Sequence, residues 1–295
     1  MGYLIDAFEP AFMQRALLGG LIAVIATSLV GTWVVLRGLA FLGDALAHGI
    51  IPGVALATLW GFSPIIGAFA AALLMSGVVS VISSRTEVRD ETAIGLLFVG
   101  MLSVGIVIVS KAPSFAANVT SLLFGDILGV TAGDIRTQVI VTAMVALAIV
   151  GLHRPFLALA FNRTKATTLG MRPGLTQAAL LGLLAMSIVA SFQAIGTLLV
   201  FGLLVGPPAT ASLLVRRIPS IMFLSMLLGS VCVVAGLVVS FHYGTAGGAT
   251  ISGFSVALFF VVFIGRETAN YLQRQQSPSP DLGLQPEGPL ADVPF

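Results

Sequence analysis

Asp44 and His48, in the run Phe41-Leu42-Gly43-Asp44-Ala45-Leu46-Ala47-His48, are the residues whose types and spacing point most directly to chemistry. Both stand inside an otherwise apolar stretch. An ionisable group in hydrocarbon costs a few kcal/mol, so one that is kept there marks a candidate site. Residues four apart on a helix share a face, with side chains in reach of each other. Counting from Arg37 at about 1.5 Å per residue places Asp44 about 10 Å and His48 about 16 Å into the span, the latter near the bilayer midplane. A carboxylate oxygen beside an imidazole nitrogen suits divalent zinc or manganese. Spacing alone leaves a second reading of equal weight, a structural Asp–His hydrogen bond in which each group satisfies the other. Two ligands cannot complete a coordination sphere, whereas two copies meeting across a two-fold axis would bring four.

Other polar residues carry weaker signals. His242 falls at the end of an apolar span, where a histidine is ordinarily just solvated, and His153 sits beside Arg154 in a polar loop. Asp126, in Leu123-Phe124-Gly125-Asp126, reads as a helix cap sooner than as a cation site. Glu91 follows Asp90 at the start of a span, as acidic residues do at helix N-termini. Gly202 and Gly206 form a GxxxG, a common packing pattern in membrane helices.

The elements that must position these residues follow from composition. Of 295 residues 57% are apolar and 9% charged, and the mean hydropathy is +1.07. A soluble domain carries about 25% charge, so lipid must be the solvent for most of this chain. Ten-residue alternating strands are absent, which excludes a β-barrel. The fold class is therefore an all-α integral membrane protein. A net charge of +2 with no basic stripe excludes a nucleic-acid partner, and one cysteine, Cys232, excludes a disulfide framework. Asp6 and Glu9 stand where a signal peptide would carry Lys or Arg, so the first span is expected to remain as an anchor.

Spans of about 20 apolar residues fall at 16–36, 39–60, 64–84, 91–110, 134–152, 175–191, 195–215, 221–241 and 251–271. That gives about nine transmembrane helices, within a range of eight to ten, because 121–131 and 246–253 also read as short helices or re-entrant turns. Pro207-Pro208 and Gly247-Gly248 are expected to break the backbone. With the loop 154–172 placed inside, eleven of the fourteen basic residues fall on the inner side and three (Arg15, Lys111, Arg136) on the outer. The organisation is then an N-terminal extracytoplasmic segment 1–15, a transmembrane domain 16–272 and a Pro-rich cytoplasmic tail 273–295 expected to be disordered. Neither lysine, Lys111 or Lys165, lies in a GxxxxGK[ST] pattern, so the chain has no nucleotide-binding P-loop, and HExxH is absent too. A secondary carrier would ordinarily show more buried acids than Asp44 alone. The chain reads as a passage that borrows its energy.

Several fragments together resemble the membrane permease of bacterial zinc/manganese ABC importers. They are the run 35–48 followed by Pro52-Gly53-Val54-Ala55; Glu91-Thr92-Ala93-Ile94-Gly95; 122–129; Ser191-Phe192-Gln193-Ala194-Ile195-Gly196; and Pro207-Pro208-Ala209-Thr210-Ala211. The resemblance spans 12–271; the segment 86–90 and the Pro-rich tail depart from it. It implies a fold similar to the vitamin B12/siderophore-type importer permease, in a bacterial plasma membrane. It implies a homodimer, two cytoplasmic ABC ATPase subunits, an extracytoplasmic solute-binding protein and no permanently bound cofactor. Asp44 and His48 would coordinate the transported ion, zinc first and manganese next, at a site exposed to either side in turn. Two inner segments, 155–172 and 209–220, qualify as the ATPase dock; the resemblance favours the second, with Leu214, Arg216 and Arg217 as contacts. The alternatives are a proton- or ion-coupled secondary metal transporter and, further off, a membrane enzyme using the pair as acid and base.

Overall fold

The computed structural model describes residues 6–85, 90–110, 127–161 and 172–276. Among the described residues there is no strand, and nine helical spans are long and apolar enough to cross a membrane. In chain order the helices are α1 (Ala11–Leu36), α2 (Ala40–Gly49), α3 (Ile51–Leu59), α4 (Pro64–Arg85), α5 (Asp90–Ser110), α6 (Ala132–Gly151), α7 (His153–Phe161), α8 (Pro173–Ile195), α9 (Thr197–Leu214), α10 (Ile218–Tyr243) and α11 (Gly247–Gln276). A 3₁₀ turn, Ile127–Gly129, precedes α6. α1 is the central post and packs against α6, α8, α9 and α10, while α11 closes the outside of α9 and α10. α2 and α3 stack end to end as one span beside α4 and α5.

Membrane helices gain no hydrophobic drive from meeting each other, so close packing must hold them together. Two seams show how. On α9, Gly202 and Gly206 receive Ser252 and Ser255 of α11, whose hydroxyls donate to the carbonyls of Leu198 and Gly202, each at 2.9 Å. The GxxxG is thus a packing seam, as its spacing indicates. On the other side of α9, a Cβ added to Gly31 of α1 would lie 2.0 Å from the Leu204 carbonyl oxygen and 3.1 Å from Cγ of Pro208.

That contact explains a difference from the sequence reading. Pro207 and Pro208 do not break the helix; α9 runs through them from Thr197 to Leu214. Pro208 has no N–H to return to the Leu204 carbonyl, and the freed oxygen is turned onto Gly31, where only a hydrogen leaves room for a Cα–H···O contact. The backbone breaks elsewhere. Gly196, with φ +80°, lets α8 pass into α9 within a single residue. The stretch 246–253 is the start of α11, not a separate short helix, and the turn before it holds Gly244 in the left-handed region. The second span, expected as one helix, is divided at Ile50.

The first span also starts earlier than expected, at Ala11. The loop 154–172 opens as helix α7, whose Phe156 is buried against Trp33 with ring centroids 5.5 Å apart. α6 begins with a capping box, the Thr131 hydroxyl accepting from the Asp134 N–H and the Asp134 carboxylate from the Thr131 N–H. Residues 121–126 and 277–295, which carry Asp126 and most of the tail, lie outside the described residues.

Candidate metal-binding site

α2 is short and almost wholly enclosed. Leu42, Ala45, Leu46 and Ala47 are buried. Gly43 lies against Leu204 of α9, and Gly49 against the Met75 sulfur of α4. What stays open is one stripe, Ala40, Phe41, Asp44 and His48, with the helical spacing of a single face. The Asp44 and His48 side chains are 29% and 28% exposed within the single chain. A charged pair on an open stripe at membrane depth needs water or protein over it, because lipid cannot solvate it.

The structure brings the two residues together as the spacing predicts. His48 Nδ1 lies 3.1 Å from the Asp44 backbone carbonyl and 3.4 Å from Asp44 Oδ1. A carbonyl oxygen can only accept, so Nδ1 is the donor and carries the ring proton. That assignment leaves the lone pair on Nε2, the arrangement in which a histidine serves as a metal ligand while its other nitrogen is held by a carbonyl or carboxylate. The Asp44 carboxylate keeps lone pairs on both oxygens beyond this contact.

The break in the span leaves a main-chain group untied. Pro52 is four residues beyond His48 and has no N–H, so the helical bond that would tie the His48 carbonyl is missing. Its remaining contact is the Ile50 N–H, which is also bonded to Leu46. Irregular backbone at membrane depth is characteristic of places that line a polar cavity. The arrangement therefore offers Nε2 and a carboxylate on one face of α2, next to a carbonyl that no helical N–H ties. No group of three or more His, Cys, Asp or Glu side chains gathers among the described residues. Here one chain brings together two ligand-type side chains.

Aromatic rings border the pair. Phe98 of α5 meets both His48 and Phe41 edge-to-face, with centroids 6.0 Å apart in each case and interplanar angles of 89° and 70°. Sequence reasoning passed over Phe98 and used Pro52 only as part of a matching fragment, without a task at the site. The proline left a signal four residues after His48; the phenylalanine left none, being one of 19 in the chain.

The other candidates lie apart. His153 packs edge-on against Trp33, with centroids 5.5 Å apart, at the start of α7. His242 is exposed in the last turn of α10, its Nδ1 donating to the Val238 carbonyl at 2.9 Å. Glu91 is exposed in the first turn of α5. Leu214, Arg216 and Arg217 form the exposed turn from α9 into α10, with Val215 extended at φ −130° and ψ 152°. Arg266 of α11 reaches across to donate to the Leu213 carbonyl at the end of α9.

Comparison with known proteins gives a consistent picture. The profile of the ABC 3 transport family matches residues 9–266. A manganese import system permease protein, ScaB of Streptococcus gordonii, is 32% identical over 264 residues, which is 90% of this chain and 95% of that protein. A probable iron transport system membrane protein of Haemophilus influenzae is 30% identical over 259 residues, 88% of this chain and 95% of the relative. A solved structure, PsaBC from Streptococcus pneumoniae in complex with Fab, superposes with a TM-score of 0.81 at 30% identity, covering 92% of this chain and 98% of the chain compared.

Proposed function

The chain belongs to the ABC 3 transport family, and from that premise we propose that it is the permease subunit of an ATP-driven importer carrying a divalent transition-metal ion across a bacterial plasma membrane. The observation that carries the reading is the Asp44–His48 pair on the open stripe of α2, with Nδ1 engaged and Nε2 left as the ring's acceptor. The ion is cargo, so it must be held loosely enough to leave. A site that draws only part of its donors from one chain suits that need, and a second copy or water would supply the rest. The working unit is two copies of this chain, two cytoplasmic ABC ATPases and an extracytoplasmic solute-binding protein, with the site open to each side in turn.

The cargo is manganese in the first place. Relatives similar over nearly their whole length are named for manganese and for iron, and a carboxylate beside an imidazole, without sulfur, suits manganese. This shifts the preference away from zinc, which the sequence resemblance put first. The ATPase dock is the α9–α10 turn with Leu214, Arg216 and Arg217. The rival segment is tied down at its start by Phe156.

Uptake of radioactive manganese and zinc by cells expressing the whole importer tests the proposal. Wild type is compared with Asp44→Asn and His48→Gln at matched membrane abundance. His48→Gln is expected to abolish uptake of manganese. Unchanged uptake of both metals in both variants would make the pair structural. Uptake that survives loss of ATP and collapses with the proton gradient would replace the ABC reading with a secondary carrier.

A further inference from the structure

α5 runs beside the open stripe of α2, and the metal reading assigns it no task. It meets α2 and α3 along one face. An added Cβ on Gly95 would lie 4.0 Å from Phe41, Phe98 meets His48, and an added Cβ on Gly105 would lie 3.2 Å from Ile51 and 3.3 Å from Pro52. Positions 95, 98 and 105 are spaced by three and seven residues, the spacing of one helical face. The residues they cover, 41, 48 and 52, advance in the same direction, so α5 lies parallel to the divided span and spans the whole candidate site. Among the described residues its substantial contacts are confined to α2, α3 and α4. Of the spans among the described residues it is the least buried. Among the described residues, the helix over the site is packed on one side only.

Phe98 is the one side chain of α5 whose ring meets both aromatic neighbours on the stripe. The imidazole is held at Nδ1 by Asp44, and rotation about its side-chain bonds breaks that contact. An aromatic ring set perpendicular to it, itself backed by Phe41, opposes the same rotation. We propose that Phe98 is a positioning residue for His48: it holds the imidazole in the orientation that presents Nε2, and it screens that nitrogen from water while α5 lies against α2. The proposal rests on the metal reading for its purpose, though the ring contacts stand without it. Access to the site is then controlled by a small displacement of a weakly held helix.

Diethyl pyrocarbonate carbethoxylates neutral imidazole, and the chain has three histidines, His48, His153 and His242. The purified full-length chain in lipid nanodiscs is treated with the reagent, and mass spectrometry follows each histidine separately. His153 and His242 are distant from Phe98 and serve as internal references. Phe98→Ala is expected to raise the His48 rate several-fold against both references, Phe98→Leu to raise it less, and Phe98→Tyr to leave it near wild type. In the assembled importer the same alanine variant should raise KM for manganese more than it lowers the maximal rate. An unchanged His48 rate in Phe98→Ala overturns the proposal; if that variant does not give a monodisperse protein, Phe98→Leu decides by the same criterion. Added manganese tests the underlying reading independently. If manganese fails to slow His48 modification in wild type, the cargo site is wrong, while the Phe98 result is still read from the rates alone.

Discussion

Asp44 touches His48 twice, once through its side chain and once through its main chain, and the two contacts respond differently to substitution. The carbonyl contact at 3.1 Å belongs to the backbone and survives any side chain at position 44. Asp44→Asn therefore keeps the imidazole tautomer and removes a charge and a potential ligand. It is expected to weaken manganese uptake through KM, within the about 10–100-fold range typical when one supporting group of a metal site is lost. His48→Gln removes the presented nitrogen itself and should leave no measurable transport. Equal loss in the two variants, measured as initial uptake rates across a manganese titration, would contradict this division. The pair was legible in the sequence because a four-residue spacing is a local property of a helix. Phe98 was not, because its partner lies 50 positions earlier and only the packing of α5 on α2 brings the two together.

At the scale of elements, each span announced itself through apolar length, and its irregularities did not. A proline is read as a break, but its effect depends on where the orphaned carbonyl can go. The Leu204 carbonyl finds Gly31, and α9 continues; the His48 carbonyl finds only a two-residue reach from Ile50, and the span divides. Two substitutions separate these cases. Gly31→Ala would place a methyl 2.0 Å from the Leu204 oxygen and force α1 from α9, an overpacking cost of about 1–3 kcal/mol. Gly182→Ala, on α8 with nothing within 4 Å of the added carbon, is the control. Thermal unfolding of the detergent-solubilised chain should show a lowered midpoint for the first and none of that loss for the second. Pro52→Ala restores a donor to His48 and should join α2 to α3. The helix becomes more regular and the protein no less stable, yet manganese uptake is expected to fall several-fold. Undiminished uptake in that variant would show that the division of the span has no part in transport.

For the molecule as a whole, the distribution of basic residues alone implies an orientation, because a wrong number of spans would scramble an eleven-to-three asymmetry. Composition fixed the solvent, and the nine spans followed. Of the two inner segments, the resemblance put 209–220 ahead of 155–172 as the dock. Most of 155–172 lies outside the described residues, while Leu214, Arg216 and Arg217 are exposed at a turn braced by Arg266. Charge reversal at Arg216 and Arg217 together is therefore expected to reduce substrate-stimulated ATP hydrolysis by the assembled importer to its unstimulated level. Normal membrane abundance with full stimulation would remove this turn from consideration as the dock.

The division of the second span leaves a small electrostatic mark that no side chain provides. α3 begins at Ile51 in line with α2, so the negative end of one helix meets the positive end of the next and their dipoles cancel at the junction. What stays uncancelled is one peptide carbonyl, that of His48, because Pro52 has no N–H to meet it. The proline thus writes one polar main-chain atom into an otherwise apolar level of the membrane.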